Sequence, residues 1–107
     1  MNFNIFSIFN RAEKDRSPLW RELRKKHIKK ESVCQCCGTE KGLQVHHIVP
    51  FHVDDSLELD PSNLITLCDS KCHLLFGHLM DYKSWNPDVV QDCLAMKKKI
   101  KTRTYHD

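Results

Sequence analysis

The chain has 107 residues, of which 40% are hydrophobic, and its formal net charge is +3. This length accommodates one domain with a modest core, and domains of this size often rely on a structural metal. No apolar run is long enough to cross a membrane, and the apolar residues 1–9 lack the basic leader and cleavage site of a signal peptide. We therefore expect a cytoplasmic protein, in which spaced cysteines bind metal more often than they form disulfides.

The charges fall into three blocks along the chain. Residues 1–30 contain nine Lys/Arg and three Asp/Glu, residues 31–92 contain three and ten, and residues 93–107 contain five and one. Two basic ends therefore flank an acidic middle, which suits a protein that holds a polyanion with its ends and a cation at its centre. Charged ends that only increase solubility would give the same pattern.

The domain organisation follows from the apolar pattern. Residues 1–15 form an apolar segment that we expect to pack on the domain or on a partner, and residues 16–107 form a single domain. Ser17-Pro18 predicts a helix start, and Leu19, Trp20, Leu23 and His27 lie on one arc of that helix. A second helix is predicted to start at Asn86-Pro87.

Both helices carry basic residues that are candidates for phosphate contacts. A solvated helix face is the alternative interpretation of either group. The candidates on the first helix are Arg21, Lys25, Lys26 and Lys29, and those near the end of the second are Lys97, Lys98 and Lys99.

Two cysteine pairs predict a four-thiolate zinc site of the structural kind. They are Cys34-x-x-Cys37, followed by Gly38, and Cys68-x-x-x-Cys72. Cys34 is preferred to Cys36 as a ligand because a single-residue spacer makes tetrahedral chelation awkward. Unligated core cysteines are the alternative, and Cys93 is expected to be one of these.

Short strands are predicted between the two pairs. Residues 43–48 and 64–67 alternate or are β-branched, and the acidic loop 54–60 separates them, so we expect an antiparallel pair. A helix over residues 70–81 is predicted to follow and to bury Leu75, Phe76 and Leu79. The fold class is therefore α+β, small and zinc-stabilised.

The histidines can both ligate a metal and move protons. His46 and His47 are neighbours on a strand, so their side chains point to opposite faces and divided roles follow, one as ligand and one as base. His73 follows Cys72 directly, so a metal on that cysteine fixes its position. The Asn63 amide can bridge backbone groups and fix the loop that orients a catalytic histidine.

The ordered set Cys34/Cys37, His47, Asn63, Cys68/Cys72 and His73 resembles the HNH endonuclease family, in particular its small bacterial and phage members. The resemblance covers residues 16–101 loosely and implies a ββα-metal finger flanked by N- and C-terminal helices. Two features differ from the commonest family pattern. The second cysteine pair has three intervening residues rather than two, and His46 replaces a frequent Asp, as in some members.

The resemblance also implies a mechanism on DNA. His47 would be the general base, Asn63 would hold it in place, and His46 and His73 would bind a catalytic divalent cation such as Mg²⁺, Mn²⁺, Ni²⁺ or Zn²⁺. The products would carry a 5′-phosphate and a 3′-hydroxyl. His78 is a further candidate ligand or phosphate contact, although its five-residue spacing from His73 places it off the same α-helical face.

Two other functions remain open at this point. A non-catalytic zinc finger would bind nucleic acid through the basic ends without needing His47. A packaging or assembly accessory of a phage would use the apolar residues 3–9 to dock a partner protein, which is a phage packaging protein or a second copy of the chain. The adjacent pair His46-His47 argues against the non-catalytic zinc finger, which has no need of it.

Overall fold

The computed structural model describes residues 16–103. The apolar segment 1–15 and residues 104–107 lie outside this range, so the packing expected of the N-terminal segment and the boundaries proposed for the domains stay predictions.

The described chain contains two α-helices, two strands and a short π-helical segment. A π-helix is wider than an α-helix because each N–H bonds to the carbonyl five residues back. Two short 3₁₀ turns, Asp55–Leu57 and Pro61–Asn63, lie in the connection between the strands. The main elements in chain order are α1 (Trp20–Lys30), β1 (Leu43–His47), β2 (Leu64–Cys68), the π-helical segment (His73–Gly77) and α2 (Val89–Lys101).

The two strands form an antiparallel pair, as predicted. Leu43 lies opposite Cys68 and His47 lies opposite Leu64. The register therefore places the two histidines of β1 beside the start of β2. All five residues of β2 are buried, which explains its continuous apolar pattern. With the helices around this pair, the prediction of a small α+β fold is confirmed.

The core is built around sulfur. Leu67 and Val89 are fully buried together with Cys36 and Cys93, and Phe76 packs against this cluster from the π-helical segment. Because the core contains few large apolar side chains, its hydrophobic stabilisation is limited. A bound metal would be a second source of stability for such a small domain. Cys93 is a core cysteine, as expected from its place in the helical pattern.

Both α-helices begin later than their sequence signals predict. The Ser17 hydroxyl accepts a hydrogen bond from the Leu19 N–H, and helix α1 starts only at Trp20. Leu19 is 63% exposed and so does not join the apolar arc. The Asn86 side chain likewise accepts from the Asp88 N–H, ahead of the start of α2 at Val89. In both cases the polar side chain builds a turn before the helix rather than capping it.

The predicted helix over residues 70–81 is wrong in length and in its buried face. The π-helical segment ends at Gly77, and Leu79 and Met80 have φ angles of 53° and 71°. A right-handed helix cannot continue through such left-handed residues. Leu75 and Leu79, predicted to be buried, are 44% and 53% exposed.

Candidate metal centres and active-site cleft

The four predicted cysteines come together in one cluster. The Sγ atoms of Cys34, Cys37, Cys68 and Cys72 all lie within 4.8 Å of one another. The Sγ atoms of Cys37 and Cys68 are 3.8 Å apart. A tetrahedral site with Zn–S bonds of about 2.3 Å has S–S edges of about 3.8 Å, which the Cys37–Cys68 distance matches, so the four thiols could hold one metal ion. We refer to it as the four-cysteine cluster.

Local backbone geometry shapes the cysteine pairs. Gly38 has a φ of 84°, a left-handed conformation that glycine adopts without strain, and its N–H bonds to the Cys34 carbonyl at 2.9 Å. The Cys37 N–H points at the Cys34 Sγ at 3.5 Å, and the Cys72 N–H points at the Cys68 Sγ at 3.4 Å. These backbone donors favour thiolates, which are the form that binds metal.

The pKa values of Cys68 and Cys72 are shifted in opposite directions. Burial raises the pKa of Cys68, but hydrogen bonds from the Cys72 N–H, the Ser70 hydroxyl and the Lys71 N–H outweigh it and lower the pKa to about 6. Burial raises the pKa of Cys72 far above its ordinary value. Thiols that crowd together in this way exchange their protons readily for a cation.

Three histidines form a second cluster, of which His46 lies between the two cysteine pairs in sequence and His73 and His78 follow the second pair. The His46 Nδ1 lies 3.1 Å from the His73 Nε2, and the His73 Nε2 lies 3.2 Å from the His78 Nε2. Metal–nitrogen bonds of about 2.0–2.1 Å place neighbouring ligand atoms about 3 Å apart. These three side chains, the three-histidine cluster, could therefore hold one ion.

The π-helical segment explains why His78 belongs to this cluster. In an α-helix, residues five apart are turned by about 140° from each other, which is the basis for placing His78 off the His73 face. A π-helix turns less per residue than an α-helix, so the segment His73–Gly77 brings the imidazole of the next residue, His78, close to that of His73, at an interplanar angle of 59°. Their ring centroids are 4.8 Å apart. The expectation that His78 lies off the face of His73 is therefore wrong, and this candidate ligand lies beside His46 and His73.

Hydrogen bonds and burial fix the states of these imidazoles. The His78 Nδ1 donates to the Ser84 carbonyl at 2.8 Å, which leaves a lone pair on the Nε2 that faces His73. Burial, followed by the neighbouring imidazoles, lowers the pKa of His46 to about 3. Burial also lowers the pKa of His73. Neutral imidazoles with converging lone pairs are suited to metal binding.

Gly77 gives His46 the room it occupies. A Cβ atom at this position would lie 3.0 Å from the His46 Cε1 and 3.2 Å from its Nδ1. Such contacts are tighter than nearly all real Cβ contacts, and the His46 ring is buried with little freedom to move. No sequence pattern indicates this role of Gly77, because it depends on His46, which lies 31 residues away in the chain.

His47 is held apart from the three-histidine cluster. Its Nε2 donates to the Glu58 carbonyl at 3.0 Å, and its ring lies 4.5 Å from that of Trp20 at an interplanar angle of 33°. Because the Nε2 carries the proton, the Nδ1 is left with a lone pair that can accept one. Burial lowers the pKa of His47, which keeps the ring neutral near pH 7.

Asn63 braces the loop that holds His47. Its Oδ1 accepts from the Val49 N–H at 2.8 Å, and its Nδ2 donates to the carbonyls of Val49 at 3.0 Å and Leu57 at 3.2 Å. Leu57 directly precedes Glu58, whose carbonyl bonds to His47. The buried amide thus connects both ends of the strand-to-strand loop.

Both histidine groups open onto one cleft. A cavity of about 380 Å³ is lined by His46, His47, His73 and His78 and also by Arg16 and Arg24. The cleft therefore combines neutral imidazoles with cationic side chains. This arrangement can place a proton acceptor, a metal ion and an anionic ligand within one space.

Comparison with known families agrees with this geometry. Residues 34–77 match the family model described as HNH endonuclease. This segment is an HNH endonuclease-family domain. The match spans the four-cysteine cluster, His46, His47, Asn63 and His73, and ends one residue before His78. Neither the curated proteins nor the solved structures that were compared gave a match. Within residues 16–103, no helix combines the length and apolar character needed to span a membrane.

The basic residues predicted to contact phosphate do not line the cleft of the HNH domain. On helix α1, Arg21, Lys25, Lys26 and Lys29 are exposed elsewhere, and Lys97, Lys98 and Lys99 lie on α2. The cleft instead contains Arg16 and Arg24, which the sequence analysis missed. Arg24 follows Trp20 by one helical turn, so helical periodicity was a signal that could have placed it on the cleft side. His52, an exposed residue, also lines this cleft.

Proposed function

We propose that this HNH-domain protein is a metal-dependent endonuclease that hydrolyses DNA phosphodiester bonds. One observation carries the proposal. His47, with an unprotonated Nδ1, opens onto the same cleft as three converging histidine nitrogens. A base beside a metal site is the minimum that water-mediated cleavage of a phosphodiester needs.

His47 is the proposed general base. It would take a proton from a water molecule as that water attacks the phosphorus in line with the leaving 3′-oxygen. The Glu58 carbonyl fixes the tautomer and Trp20 limits rotation of the ring. Asn63 would act through the loop, by keeping that carbonyl in place. Products with a 5′-phosphate and a 3′-hydroxyl follow from this direction of attack.

The three-histidine cluster is the proposed site of the catalytic cation. His46, His73 and His78 would hold it, and the three imidazoles suit Zn²⁺ or Ni²⁺, while Mn²⁺ or Mg²⁺ would take its remaining ligands from water. When bound, such an ion supplies positive charge beside the phosphate and the leaving oxygen. The protein's part is to lower the pKa of His46 and His73 by burial and to orient all three imidazoles.

The four-cysteine cluster is proposed to hold a structural Zn²⁺. Cys68 ends β2 and Cys72 directly precedes His73, so an ion on both residues would fix the start of the π-helical segment. The position of His73 in the cleft would then depend on the zinc. This links the stability of the domain to the geometry of its active site.

Arg16 and Arg24 are the proposed phosphate contacts in the cleft. Guanidinium groups bind phosphate oxygens in pairs, and such contacts position a nucleic acid without reading its sequence. The lysines on the outer faces of α1 and α2 would add long-range attraction that salt weakens. We therefore expect weak sequence preference.

Cleavage of supercoiled plasmid tests the proposal. The protein is incubated with Mg²⁺, Mn²⁺ or Ni²⁺ beside His47→Ala and the matched control His106→Ala, a histidine to which no role is assigned. We expect nicked or linear product from the native protein and from the control. Loss of a general base should slow cleavage by about 100- to 10,000-fold.

Two results would contradict the proposal. Cleavage by His47→Ala at the native rate would remove His47 as the base. Binding of DNA without cleavage by any form, with both metal sites filled, would favour a non-catalytic nucleic-acid-binding protein.

A further inference from the structure

The turn formed by residues 79–82, which directly follows His78, has an unusual backbone. Leu79 and Met80 have φ angles of 53° and 71°, and they are the only non-glycine residues with positive φ within residues 16–103. Left-handed conformations of bulky side chains persist only when the surrounding structure enforces them. Two such residues in succession therefore need a structural explanation.

Hydrogen bonds hold the turn in this conformation. The Met80 N–H bonds to the Leu74 carbonyl at 2.9 Å, which ties the turn back to the π-helical segment. On the far side, the Ser84 N–H bonds to the Asp81 carbonyl at 2.8 Å, and the Ser84 hydroxyl bonds to the His78 carbonyl. The turn is consequently rigid although it lies at the surface.

The rigid turn presents apolar side chains to water. Leu79, Met80 and Tyr82 are 53%, 64% and 59% exposed. Of the eight exposed large apolar residues in the described part of the chain, four lie within residues 75–82. Concentrated apolar exposure of this kind usually marks a contact surface.

The position of the turn indicates what it contacts. The Tyr82 ring lies 4.9 Å from that of His78 and 6.0 Å from that of His73, and Tyr82 lines the cleft. The same cleft contains Arg24, whose charge favours a polyanion, and Arg16, whose guanidinium is ion-paired with Glu58 at 3.3 Å. An apolar surface continuous with a cationic cleft fits a nucleic acid, which has charged edges and apolar base faces.

We propose that the turn of residues 79–82 is a wedge that contacts the bases of duplex DNA beside the cleavage site and partly unstacks them. The inference rests on the proposed nuclease function and adds a requirement on the substrate, namely that it be deformed. Leu and Met side chains inserted between base steps would leave water, and the rigid backbone would hold them there as the duplex bends.

The first test is unstacking on binding. His47→Ala protein, which would bind without cutting, is added to a duplex in which 2-aminopurine replaces adenine along one strand. Fluorescence should rise as bases unstack. The rise should be largely lost when Leu79→Ala and Met80→Ala are added, and kept with Leu94→Ala, a similarly exposed leucine that lies on α2 rather than in the turn.

The second test compares substrates in the otherwise native protein. Leu79→Ala with Met80→Ala should slow cleavage of duplex DNA by about tenfold or more, because unstacking a step costs a few kcal/mol. Cleavage of single-stranded DNA should proceed at the native rate, since nothing need be unstacked. Metal content, measured by native mass spectrometry, should match the native protein and so show that His78 is still in place.

The outcomes separate this inference from the proposed function. Cleavage of duplex DNA by the native protein without any fluorescence rise on binding would leave the nuclease standing and overturn the wedge. Equal slowing on duplex and single strands, or no slowing on either, would also overturn it. Absence of both binding and cleavage by the native protein would contradict both proposals.

Discussion

The four-cysteine cluster and the three-histidine cluster could each hold a metal ion, yet they are built in opposite ways. Three of the four cysteines are at most 2% exposed, and backbone N–H groups of the cluster's own turns point at their sulfurs. In the histidine cluster only His46 is buried to a similar degree, and all three imidazoles line an open cleft.

The difference matches the division between structural and catalytic metal sites. A closed site with four protein ligands leaves no position for a substrate, whereas a site with three ligands and an open side does. The local geometry follows the same division. Gly38 shapes a tight turn around the cysteines, while Gly77 only clears space for the His46 ring. One cluster is therefore expected to determine folding and the other to determine activity.

Breaking the four-cysteine cluster should have the largest effect. Cys68→Ser removes the thiol whose pKa is lowered to about 6, and metal binding by such sites supplies about 10–16 kcal/mol in small zinc domains. We expect the domain to lose its zinc and to unfold, as measured by native mass spectrometry and circular dichroism.

Cys93→Ser is the matched control for that experiment. Cys93 is 1% exposed in the same core but lies outside the four-sulfur group. The control should keep its zinc and show only a lowered unfolding temperature. If both variants lost the metal, or if Cys68→Ser kept it, the structural role of the cluster would be contradicted.

Gly77→Ala should disturb the three-histidine cluster alone. The added methyl group meets the His46 ring, so the ring must move and the affinity for the catalytic cation should fall by about 10- to 100-fold, as for other changes that misorient a ligand. Isothermal titration with Mn²⁺ measures this affinity, and circular dichroism checks that the fold remains.

Gly42→Ala serves as the control, because it should lower the stability of the fold without changing the metal affinity. Gly42 has a φ of 62° and open space around it, so alanine there strains the backbone and touches nothing. We expect a loss of about 1–2 kcal/mol in the free energy of unfolding and unchanged Mn²⁺ affinity. Equal loss of Mn²⁺ affinity in both variants would refute the role given to Gly77.

The smallest predicted effect concerns the rim of the cleft. Arg24→Gln should weaken DNA binding and reduce the slope of log affinity against log salt by about one, because one phosphate contact is lost. Lys25→Gln, on the same helix with an exposed side chain outside the cleft, should change the slope less. Fluorescence anisotropy at several salt concentrations measures both, and a larger change for Lys25→Gln would show that DNA lies on the outer helix face.

Short-range signals in the sequence predicted much of this molecule. The spacing of the cysteine pairs indicates a four-sulfur cluster, and the sulfurs do lie together. The apolar patterns over 43–48 and 64–67 predict the strand pair to within one residue at an end. These features depend on neighbours a few residues apart, which a sequence displays directly.

Features that depend on tertiary contacts were missed. The chain that returns at residues 84–86 supplies the Ser84 carbonyl to His78 and the Asn86 N–H to the Gly77 carbonyl, and with these contacts the segment is π-helical rather than α-helical. Helical periodicity alone therefore placed His78 wrongly. Arg16 was overlooked for a similar reason, since its ion pair with Glu58 at 3.3 Å spans 42 residues.

Stepwise removal of metal tests the contrast between the two clusters most directly. Increasing EDTA is added to the protein while plasmid cleavage and the circular dichroism signal are recorded on the same samples. We predict that cleavage disappears first with the fold intact and returns on addition of Mn²⁺, and that the fold is lost only at higher chelator concentration or after longer exposure. Loss of cleavage and fold together at every concentration would contradict separate structural and catalytic metal sites.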